Sequence, residues 1–359
     1  MENLVSAFSW AGRSVFVTGH TGFKGSWLSM WLNLLGARVT GYALAPDTTP
    51  SLFDLADVAS SLAHHHEADV RDAAALADAM HAAQPELVLH LAAQPLVRRA
   101  YRAPADTWST NVMGTVNLLD AVRACPSVKA VVVVTTDKCY ENQEWLWGYR
   151  ETDRLGGRDP YSASKAAGEL VVHSYRKSFF ESSGVLLASA RAGNVIGGGD
   201  FSEDRLVPDA ARAVAASGYL SIRNPEATRP WQHVLESLHG YLLLSERLLG
   251  GAAGYADAFN FGPVADDNLP VGELLERLHG HWPQLDWKVE RVEGAPHEAG
   301  YLYLDATKAR RELGWQPRWA LDAALARTAT WYRAWLDGTD LAALSRAQIA
   351  EYGQPGDSR

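Results

Sequence analysis

Tyr161 and Lys165 lie four residues apart, and their types and spacing suit removal of a proton from an alcohol. Asp159 is a good helix N-cap and Pro160 suits the first helical position, which places the tyrosine and the lysine on one helix face. A phenol with a pKa of about 10 needs nearby positive charge to act as a base at neutral pH, and a lysine at about 6 Å supplies about two pKa units. The pair could then act while hydride leaves for an oxidised nicotinamide. The Tyr-x-x-x-Lys spacing alone also occurs by chance on amphipathic helices.

A glycine-rich loop lies near the start of the chain. Residues 14–18 predict a buried strand, residues 19–25 form the loop, and an apolar helix follows to about residue 36. In such a unit the glycines allow a tight turn, close approach of the backbone to a pyrophosphate, and close packing of helix on strand. The spacing is Gly-x-x-Gly-x-x-Gly, and the alternative is an ordinary turn. The predicted cofactor contacts in this loop are Gly19, Thr21, Gly22, Phe23 and Gly25.

The second predicted strand, residues 38–44, bears on the choice between NAD and NADP. An acidic residue at its end usually holds the adenosine ribose, but none stands there, and Asp47 lies a little beyond. No arginine is placed to bind a 2′-phosphate, for which His20 and Lys24 are the remaining candidates. We therefore predict NAD as the cofactor.

Further cofactor contacts are predicted at the ends of later strands. Asp69 follows the possible third strand, where a carboxylate can accept from the adenine amino group; the alternative is that it caps the next helix. Residues 86–90 predict a short strand followed by small residues, past which a cofactor can run closely. Asn111 is a polar residue on an otherwise apolar helix, residues 106–122, and either ties that helix to a strand end or caps a neighbour. The contacts predicted in this group are Asp69, Val70, Ala92, Ala93 and Asn111, together with Tyr161 and Lys165.

The alternation of strands and helices continues over almost 190 residues and predicts an α/β fold with a Rossmann-type doubly wound parallel sheet. After that the pattern changes to loops and shorter elements, which predict a smaller α/β lobe interleaved with the first domain. The expected cofactor domain comprises residues 1–192 and 233–263, the substrate lobe comprises residues 193–232 and 264–345, and residues 346–359 are a tail.

Three arginines recur in the loop-rich region after residue 193, which begins with a flexible glycine-rich loop. Arg205, Arg223 and Arg229 stand out in a protein whose net charge is −9. Because guanidinium forks suit phosphate oxygens, a diphosphate pocket is one interpretation. The alternative is ordinary surface ion pairs.

Composition excludes several classes of function. With 33 basic and 42 acidic residues and no long basic run, the chain is not expected to bind nucleic acid or a membrane surface. Two cysteines are too few for a disulfide framework, and the three consecutive histidines at 64–66 should point to alternating faces, so no metal site is predicted. No apolar stretch approaches a membrane span and no leader is evident, so we expect a cytoplasmic protein.

Several motifs together resemble the extended short-chain dehydrogenase/reductase family, over essentially the whole chain. Within that superfamily they are similar to the CDP-glucose 4,6-dehydratases. The motifs are GHTGFKGSWL (19–28), TTDKCYEN (135–142), YSASK (161–165), RAGNVIGGGDF (191–201), TRPWQHVLE (228–236) and PHEAGYLYLD (296–305).

The resemblance implies an internal redox elimination on a nucleotide sugar. Tyr161 would remove the proton of the hydroxyl at carbon 4 while hydride passes to NAD, water would leave across carbons 5 and 6, and the hydride would return to carbon 6. Thr136 can hold the carbon 4 oxygen, and Asp137, when burial keeps it protonated, can protonate the departing hydroxyl. Lys138 acts either as the base at carbon 5 or as a cation beside the enolate, and the sequence leaves both roles open.

The resemblance also implies where the nucleotide sugar binds and how the chain assembles. Subunits of the family pair through two helices, here near residues 106–122 and 161–180, so a homodimer or homotetramer is expected. The predicted substrate contacts are Gln94, Asn194, Arg205, Arg223, Arg229, Trp231 and His297.

Three other functions remain open from the sequence. A 4-epimerase of the same fold would need Tyr161 and Lys165 but neither Asp137 nor Lys138, and a dehydratase for another nucleotide would differ only in its base contacts. A dinucleotide-sensing protein would tolerate loss of the tyrosine and lysine, and both are intact. The implied pathway supplies deoxysugars to the O-antigen of bacterial lipopolysaccharide and to related surface polysaccharides.

Overall fold

Seven parallel strands form the central sheet, in the order β10-β6-β5-β4-β1-β2-β3. The computed structural model describes residues 8–264, 267–290 and 301–354. Apolar runs such as Ala130–Val134 are buried on both faces, as expected for parallel strands covered by helices. The strands of the described residues are β1 (Ser14–Thr18), β2 (Arg38–Ala43), β3 (His64–Glu67), β4 (Leu87–His90), β5 (Ala130–Val134), β6 (Leu186–Ala192), β7 (Asn194–Ile196), β8 (Leu220–Ile222), β9 (Thr228–His233), β10 (Ala258–Phe261), β11 (Asn268–Pro270) and β12 (Trp287–Val289).

The predicted Rossmann-type doubly wound sheet is confirmed. Successive strands run outward from β1 through β2 to β3, and then from β4 on the other side of β1 through β5 to β6. The direction of winding therefore reverses between β1 and β4. In folds of this type ligands bind in the crevice that opens there, beyond the carboxyl ends of the strands.

Helices cover both faces of the sheet, and no described helix is long and apolar enough to cross a membrane. The predicted helix at residues 106–122 is present as α5 and α6, joined by a π-helical turn at Ser109–Met113. The helices are α1 (Phe23–Leu34), α2 (Leu52–Leu55), α3 (Ala73–Ala83), α4 (Val97–Arg102), α5 (Pro104–Trp108), α6 (Gly114–Arg123), α7 (Pro160–Tyr175), α8 (Glu181–Ser183), α9 (Leu206–Ala215), α10 (Val234–Leu249), α11 (Val271–His281), α12 (Leu321–Leu336) and α13 (Leu341–Gly353).

Two small sheets lie beyond the central one. Strands β7, β9 and β11 form a mixed three-stranded sheet, and β8 pairs with β12 in parallel. The segment 193–201, expected as a flexible loop, instead contains β7, because its backbone pairs with β9. Helix α10 packs on β5 and β6, and β10 then joins the central sheet. The chain thus crosses between the two parts more than once; the division into two domains stays a prediction.

The chain does not end in a tail at residue 346. Helix α13 continues to Gly353, and the Tyr352 hydroxyl donates to Glu236 Oε2 at 2.5 Å. The expectation is therefore wrong for residues 346–353. The buried face of this helix includes Ser345 and Gln348, so its apolar periodicity is too weak to recognise in the sequence.

Buried histidines make acid stability a testable property. His233 is fully buried, and its Nδ1 accepts from the Leu235 amide at the start of α10. Burial lowers its pKa to about 3, against 6.5 ordinarily. Stability from keeping it neutral is therefore present above pH 6.5 and is lost as pH falls toward 3. When the pH is lowered from about 7 to about 5, the free energy of unfolding of wild type should fall by about 2 kcal/mol more than that of His233→Asn. Urea titration at the two pH values measures both changes.

The matched control for this experiment is His81→Asn, since His81 is exposed on α3. That variant should follow the wild-type pH dependence. Identical pH dependence of His233→Asn and wild type would show that His233 does not contribute to acid sensitivity.

Candidate active site

A cleft of about 1480 Å³ lies over the carboxyl ends of the central strands and is walled on its far side by the small sheets. Typical small-molecule pockets measure about 300–1,000 Å³. The cleft is therefore large enough for a dinucleotide together with a second ligand. Its walls contain most of the residues that the sequence predicts to bind cofactor or substrate or to act in catalysis.

The glycine loop forms one wall by close backbone contact. A Cβ on Gly19, whose φ is +75°, would lie 2.6 Å from the Ala92 amide nitrogen, and a Cβ on Gly25 would lie 2.1 Å from the Gly19 carbonyl oxygen. Thr21 donates to the Leu44 carbonyl at 2.8 Å and holds the loop against β2. Gly22 precedes α1 without a side-chain cap, so the positive end of the helix dipole faces the cleft. Phe23, the first residue of α1, also lines the cleft.

Asp69 and Val70 lie at the predicted adenosine end of the cleft. The helix-cap alternative for Asp69 is wrong, because Asp72 caps α3 by accepting from the Ala75 amide. Asp69 instead accepts from the Arg71 amide and guanidinium, and this bond with Arg71 lowers the pKa of its carboxyl.

No acidic residue directly follows β2, and Asp47 lies a little beyond it. Asp47 lines the cleft, and its carboxylate pairs with Arg99 on α4 at 2.6 Å.

Among the described residues no group of three or more potential ligands could hold a metal ion. His65 contacts His20, with 2.7 Å between Nδ1 and Nε2.

Ala92, Ala93 and Gln94 follow β4 and line the cleft, but Asn111 does not. Asn111 Oδ1 accepts from the Gln94 amide at 2.8 Å, and its Nδ2 donates to the Gln94 carbonyl and to Ser164 Oγ. Asn111 thus ties the π-helical turn to the strand end, one of the two interpretations from the sequence. The Gln94 side chain bonds Thr107 and the Leu96 amide, so it braces this corner from within.

Tyr161 and Lys165 lie on the first turns of α7. Asp159 caps the helix by accepting from the Ser162 amide at 3.0 Å, and Pro160 occupies the first position, as predicted. Both functional side chains are buried, with 7% and 9% exposed. The Lys165 ammonium lies 3.5 Å from the Val134 carbonyl oxygen.

Burial dominates the protonation of this pair. It raises the pKa of Tyr161 to about 12, and a hydrogen bond with Thr136 and the charge of Arg205 offset only part of this effect. It also lowers the pKa of Lys165 to about 8. The expectation that the protein's own charges bring the phenol pKa below 10 is therefore wrong.

Thr136, Asp137 and Lys138 form a tight turn directly after β5. Thr136 Oγ1 donates to Asp137 Oδ1 at 2.9 Å, and the Lys138 ammonium lies 3.5 Å from the same oxygen and 3.4 Å from Asn194 Oδ1. Asp137 is 1% exposed, and its Oδ2 has no hydrogen-bond partner among the described residues. A Cβ on Gly193 would lie 3.2 Å from that oxygen, so the glycine keeps space open beside it.

Except for Gln94, which follows β4, the predicted substrate residues that the structure describes lie on the opposite wall of the cleft. Asn194 begins β7, and Arg205 immediately precedes α9, where its Nη1 lies 3.5 Å from Asp200 Oδ2. Trp231 is buried and donates to the Leu269 carbonyl, so it shapes the wall. His297 lies outside the described residues. The predicted substrate residues that line the cleft are Gln94, Asn194, Arg205, Arg223, Arg229 and Trp231.

Lys24 is a site residue whose position the sequence analysis did not anticipate. Its ammonium lies 3.2 Å from the Tyr241 hydroxyl, inside the cleft. Burial, followed by the nearby charge of Arg205, lowers its pKa to about 7. The charges of Asp137 and Lys165 also act on it, so it belongs to the catalytic end rather than to a 2′-phosphate site. A lysine within the glycine loop, directly before the apolar run, was the available signal.

The fold and this arrangement of side chains are those of a dinucleotide-dependent enzyme that oxidises an alcohol. The chain belongs to the GDP-mannose 4,6-dehydratase family, whose model matches residues 16–328. The resemblance to CDP-glucose 4,6-dehydratases is also confirmed. The chain is 49% identical over 349 residues to the CDP-glucose 4,6-dehydratase of Salmonella typhimurium, covering 96% of this chain and 97% of the relative.

More distant similarities agree with this placement. The dTDP-glucose 4,6-dehydratase 1 of Escherichia coli is 27% identical, over 90% of this chain and 94% of the relative. The fold is shared with the UDP-glucose 4-epimerase of Stenotrophomonas maltophila, solved with bound NAD, with a TM-score of 0.78 and 22% identity over 91% of this chain and all of that one.

Proposed function

We propose that the protein is a CDP-glucose 4,6-dehydratase, a hydro-lyase that converts CDP-D-glucose to CDP-4-dehydro-6-deoxy-D-glucose. The observation that carries the proposal is the placement of Asp137 and Lys138 in one cleft with Tyr161, in a chain 49% identical to a CDP-glucose 4,6-dehydratase over nearly its whole length. A 4-epimerase has no use for an acid and a base next to the tyrosine. The three residues therefore favour dehydration.

The residues around the glycine loop fit NAD. The missing side chains at Gly19 and Gly25 leave the backbone free to approach a pyrophosphate, and the uncapped start of α1 favours its negative charge. Asp69 and Val70 would lie beside the adenine, with Ala92 and Ala93 along the middle of the cofactor. The chemistry that bound NAD supplies is reversible acceptance of hydride.

Oxidation at carbon 4 relies on Tyr161. The phenolate of Tyr161 takes the proton of the carbon 4 hydroxyl, and Thr136 holds the oxygen during the transfer. Because the pKa of the buried phenol is about 12, further positive charge must stabilise the phenolate. Protonated Lys165 and an oxidised nicotinamide are the two groups that supply it.

Elimination relies on the turn after β5. The new ketone acidifies the proton at carbon 5, and Lys138 either removes that proton or stabilises the enolate. Asp137 is placed to act as the acid for the hydroxyl that leaves carbon 6 as water. Its Oδ2 has no protein partner among the described residues and borders the space left by Gly193, as a proton donor to a ligand would.

The nucleotide diphosphate is held by the opposite wall. Arg205, Arg223 and Arg229 lie within the cleft, and their guanidinium groups suit phosphate oxygens. Asn194, which lies 3.4 Å from the Lys138 ammonium, is placed to contact the sugar end. These assignments give the sugar a single orientation, with its carbons 4 to 6 toward Tyr161 and Asp137.

The subunit forms a homodimer through the face formed by α5, α7 and their π-helical turns. This face exposes four large apolar side chains, with 41%, 52%, 60% and 37% of their surface accessible, namely Trp108, Met113, Leu170 and Phe179. Exposed apolar patches of this kind mark association sites in soluble proteins. Both helices lie at the segments near residues 106–122 and 161–180, which the family resemblance implies for subunit pairing.

A charge at the centre of this face should disrupt the dimer. Leu170→Glu is expected to convert the wild-type dimer to a monomer, because the carboxylate would be desolvated between subunits. Light scattering after size-exclusion chromatography measures the mass. The control Leu336→Glu, at the exposed last residue of α12, should remain dimeric. A monomeric wild type or a dimeric Leu170→Glu variant would contradict the assignment.

The proposed substrate is tested by offering purified protein CDP-glucose, dTDP-glucose and GDP-mannose in separate proton NMR experiments, each with and without added NAD. A new carbon 6 methyl signal with CDP-glucose alone supports the proposal. A methyl signal with another donor instead reassigns the nucleotide, and a changed carbon 4 configuration without a methyl signal indicates an epimerase.

A further inference from the structure

A buried ion pair lies directly behind the catalytic residues. Glu169 and Arg191 are 3% and 4% exposed, and Glu169 Oε2 lies 2.7 Å from Arg191 Nη2. Glu169 follows Lys165 by four residues on α7, and Arg191 lies on β6, two residues before Gly193. Because a buried ion pair often contributes little net stability, stability alone does not explain its place here.

Glu169 binds a residue that leads into the turn Asp137–Cys139. Thr135 Oγ1 donates to Glu169 Oε1 at 2.5 Å, and Ser189 Oγ donates to Oε2 at 2.8 Å. Thr135 immediately precedes Thr136, and Ser189 lies on β6 next to β5. One carboxylate therefore joins α7, which carries Tyr161, to the end of the strand that leads into the turn.

Arg191 holds the exit from the same turn. Its Nη1 donates to the Tyr140 hydroxyl at 2.8 Å and to the Glu151 carbonyl at 3.1 Å. The Tyr140 hydroxyl in turn donates to Asn260 Oδ1 on β10 at 2.8 Å. Tyr140 directly follows the turn Asp137–Cys139. The ion pair therefore contacts residues on both sides of the turn.

We propose that Glu169 and Arg191 form a positioning pair that fixes the elimination residues Asp137 and Lys138 relative to Tyr161. Neither residue lines the cleft, so both act through the turn rather than on the substrate. The sugar must meet Tyr161 during oxidation and Asp137 during elimination without leaving the site. A shared anchor for α7 and the turn keeps both distances correct, and misplacement by about 1 Å can cost about 10²-fold in rate.

The proposal rests on the proposed function and is tested with Glu169→Gln. The amide keeps the size of the side chain but leaves the Arg191 charge without its partner. We expect kcat for CDP-glucose to fall on the order of 10²-fold while KM changes by less than about threefold. Burial lowers the pKa of Lys165 and the Glu169 charge opposes that shift, so oxidation should slow as well. Elimination should slow more than oxidation, so reduced nicotinamide should accumulate in stopped-flow absorbance. Glu169→Asp, which restores the charge, should have a kcat at least about tenfold higher than that of Glu169→Gln.

The control is Glu181→Gln, which makes the same change in the exposed ion pair with Lys177 and should leave turnover unchanged. If Glu169→Gln does not fold, Tyr140→Phe removes the single hydroxyl that Arg191 and Asn260 contact and should slow elimination about tenfold with accumulation of reduced nicotinamide.

Three results would overturn the positioning role while the wild type remains active. They are a kcat of folded Glu169→Gln within about threefold of wild type, equal slowing of oxidation and elimination, and no recovery in Glu169→Asp. For Tyr140→Phe, an unchanged ratio of the oxidation rate to the elimination rate would overturn the positioning role. An inactive wild type would instead count against the proposed function itself.

Discussion

Replacing Tyr161 with Phe is expected to lower turnover of CDP-glucose by about 10³-fold, in the range of a lost general base. The hydroxyl is the only group removed, and the ring remains buried on the capped first turn of α7. Without it the carbon 4 proton has no acceptor, so oxidation itself should stop and no reduced nicotinamide should form. Steady-state product formation and single-turnover absorbance measure the two effects.

Binding and folding of this variant should be preserved. The Kd for CDP-glucose, measured by calorimetry, should stay within about threefold of wild type, because the diphosphate is held on the opposite wall. The matched control is Tyr255→Phe, which removes a hydroxyl bonded to the Glu312 carbonyl far from the cleft and should be fully active. A Tyr161→Phe enzyme with substantial turnover would refute the assigned role.

Replacing Lys138 with Met should separate the two halves of the reaction. The ammonium lies 3.5 Å from Asp137 and 3.4 Å from Asn194, and the main influences on the pKa values of Tyr161 and Lys165 come from burial and from other residues. Oxidation at carbon 4 should therefore continue, while elimination falls by about 10²-fold or more. A single turnover should leave reduced nicotinamide and a 4-keto-glucose nucleotide, identified by mass spectrometry.

Exchange of the carbon 5 proton distinguishes the two roles of Lys138. If it is the base, Lys138→Met should also lose deuterium uptake at carbon 5 from deuterated water; if it only stabilises the enolate, slow uptake should remain. Lys129→Met, which removes an exposed ammonium paired with Glu86, serves as the control. Full overall turnover in Lys138→Met would exclude either role.

The central sheet and the cofactor loop could be predicted because local rules determine them. Strands such as Ala130–Val134 are continuous apolar runs, and the helix start at Asp159 and Pro160 follows from capping chemistry. The positions of the glycines likewise follow from the close approach of backbone that the fold requires at Gly19 and Gly25. The strand and the helix start need no knowledge of distant contacts.

Features that depend on long-range contacts could not be predicted. Lys24 is a candidate for a 2′-phosphate site in the sequence, and its place at the catalytic end is evident only from its contacts with Arg205 and Tyr241. Glu169 and Arg191 are 22 residues apart and become a pair only when α7 packs across β6. Asn111 was expected at the cofactor, whereas its side chain is fully engaged by Gln94 and Ser164.

The tyrosine pKa shows a different limit of sequence reasoning. The spacing of Tyr161 and Lys165 predicts attraction between an ammonium and a phenolate, but not how deeply both groups are buried. Desolvation opposes charge on each of them, and it is the largest influence on both pKa values. Burial is a property of the whole fold, so the direction of the net shift in the tyrosine pKa could not be predicted from the sequence.

The most direct test of the account follows deuterium from carbon 4 of CDP-glucose. An equal mixture of CDP-[4-²H]glucose and uniformly ¹³C-labelled CDP-glucose is converted by the wild-type protein and the product is analysed by mass spectrometry. We expect deuterium at carbon 6 of the ¹²C product only, because hydride leaves and returns within one bound molecule. Deuterium lost to solvent, deuterium in the ¹³C product, or absence of the 6-deoxy product would contradict it.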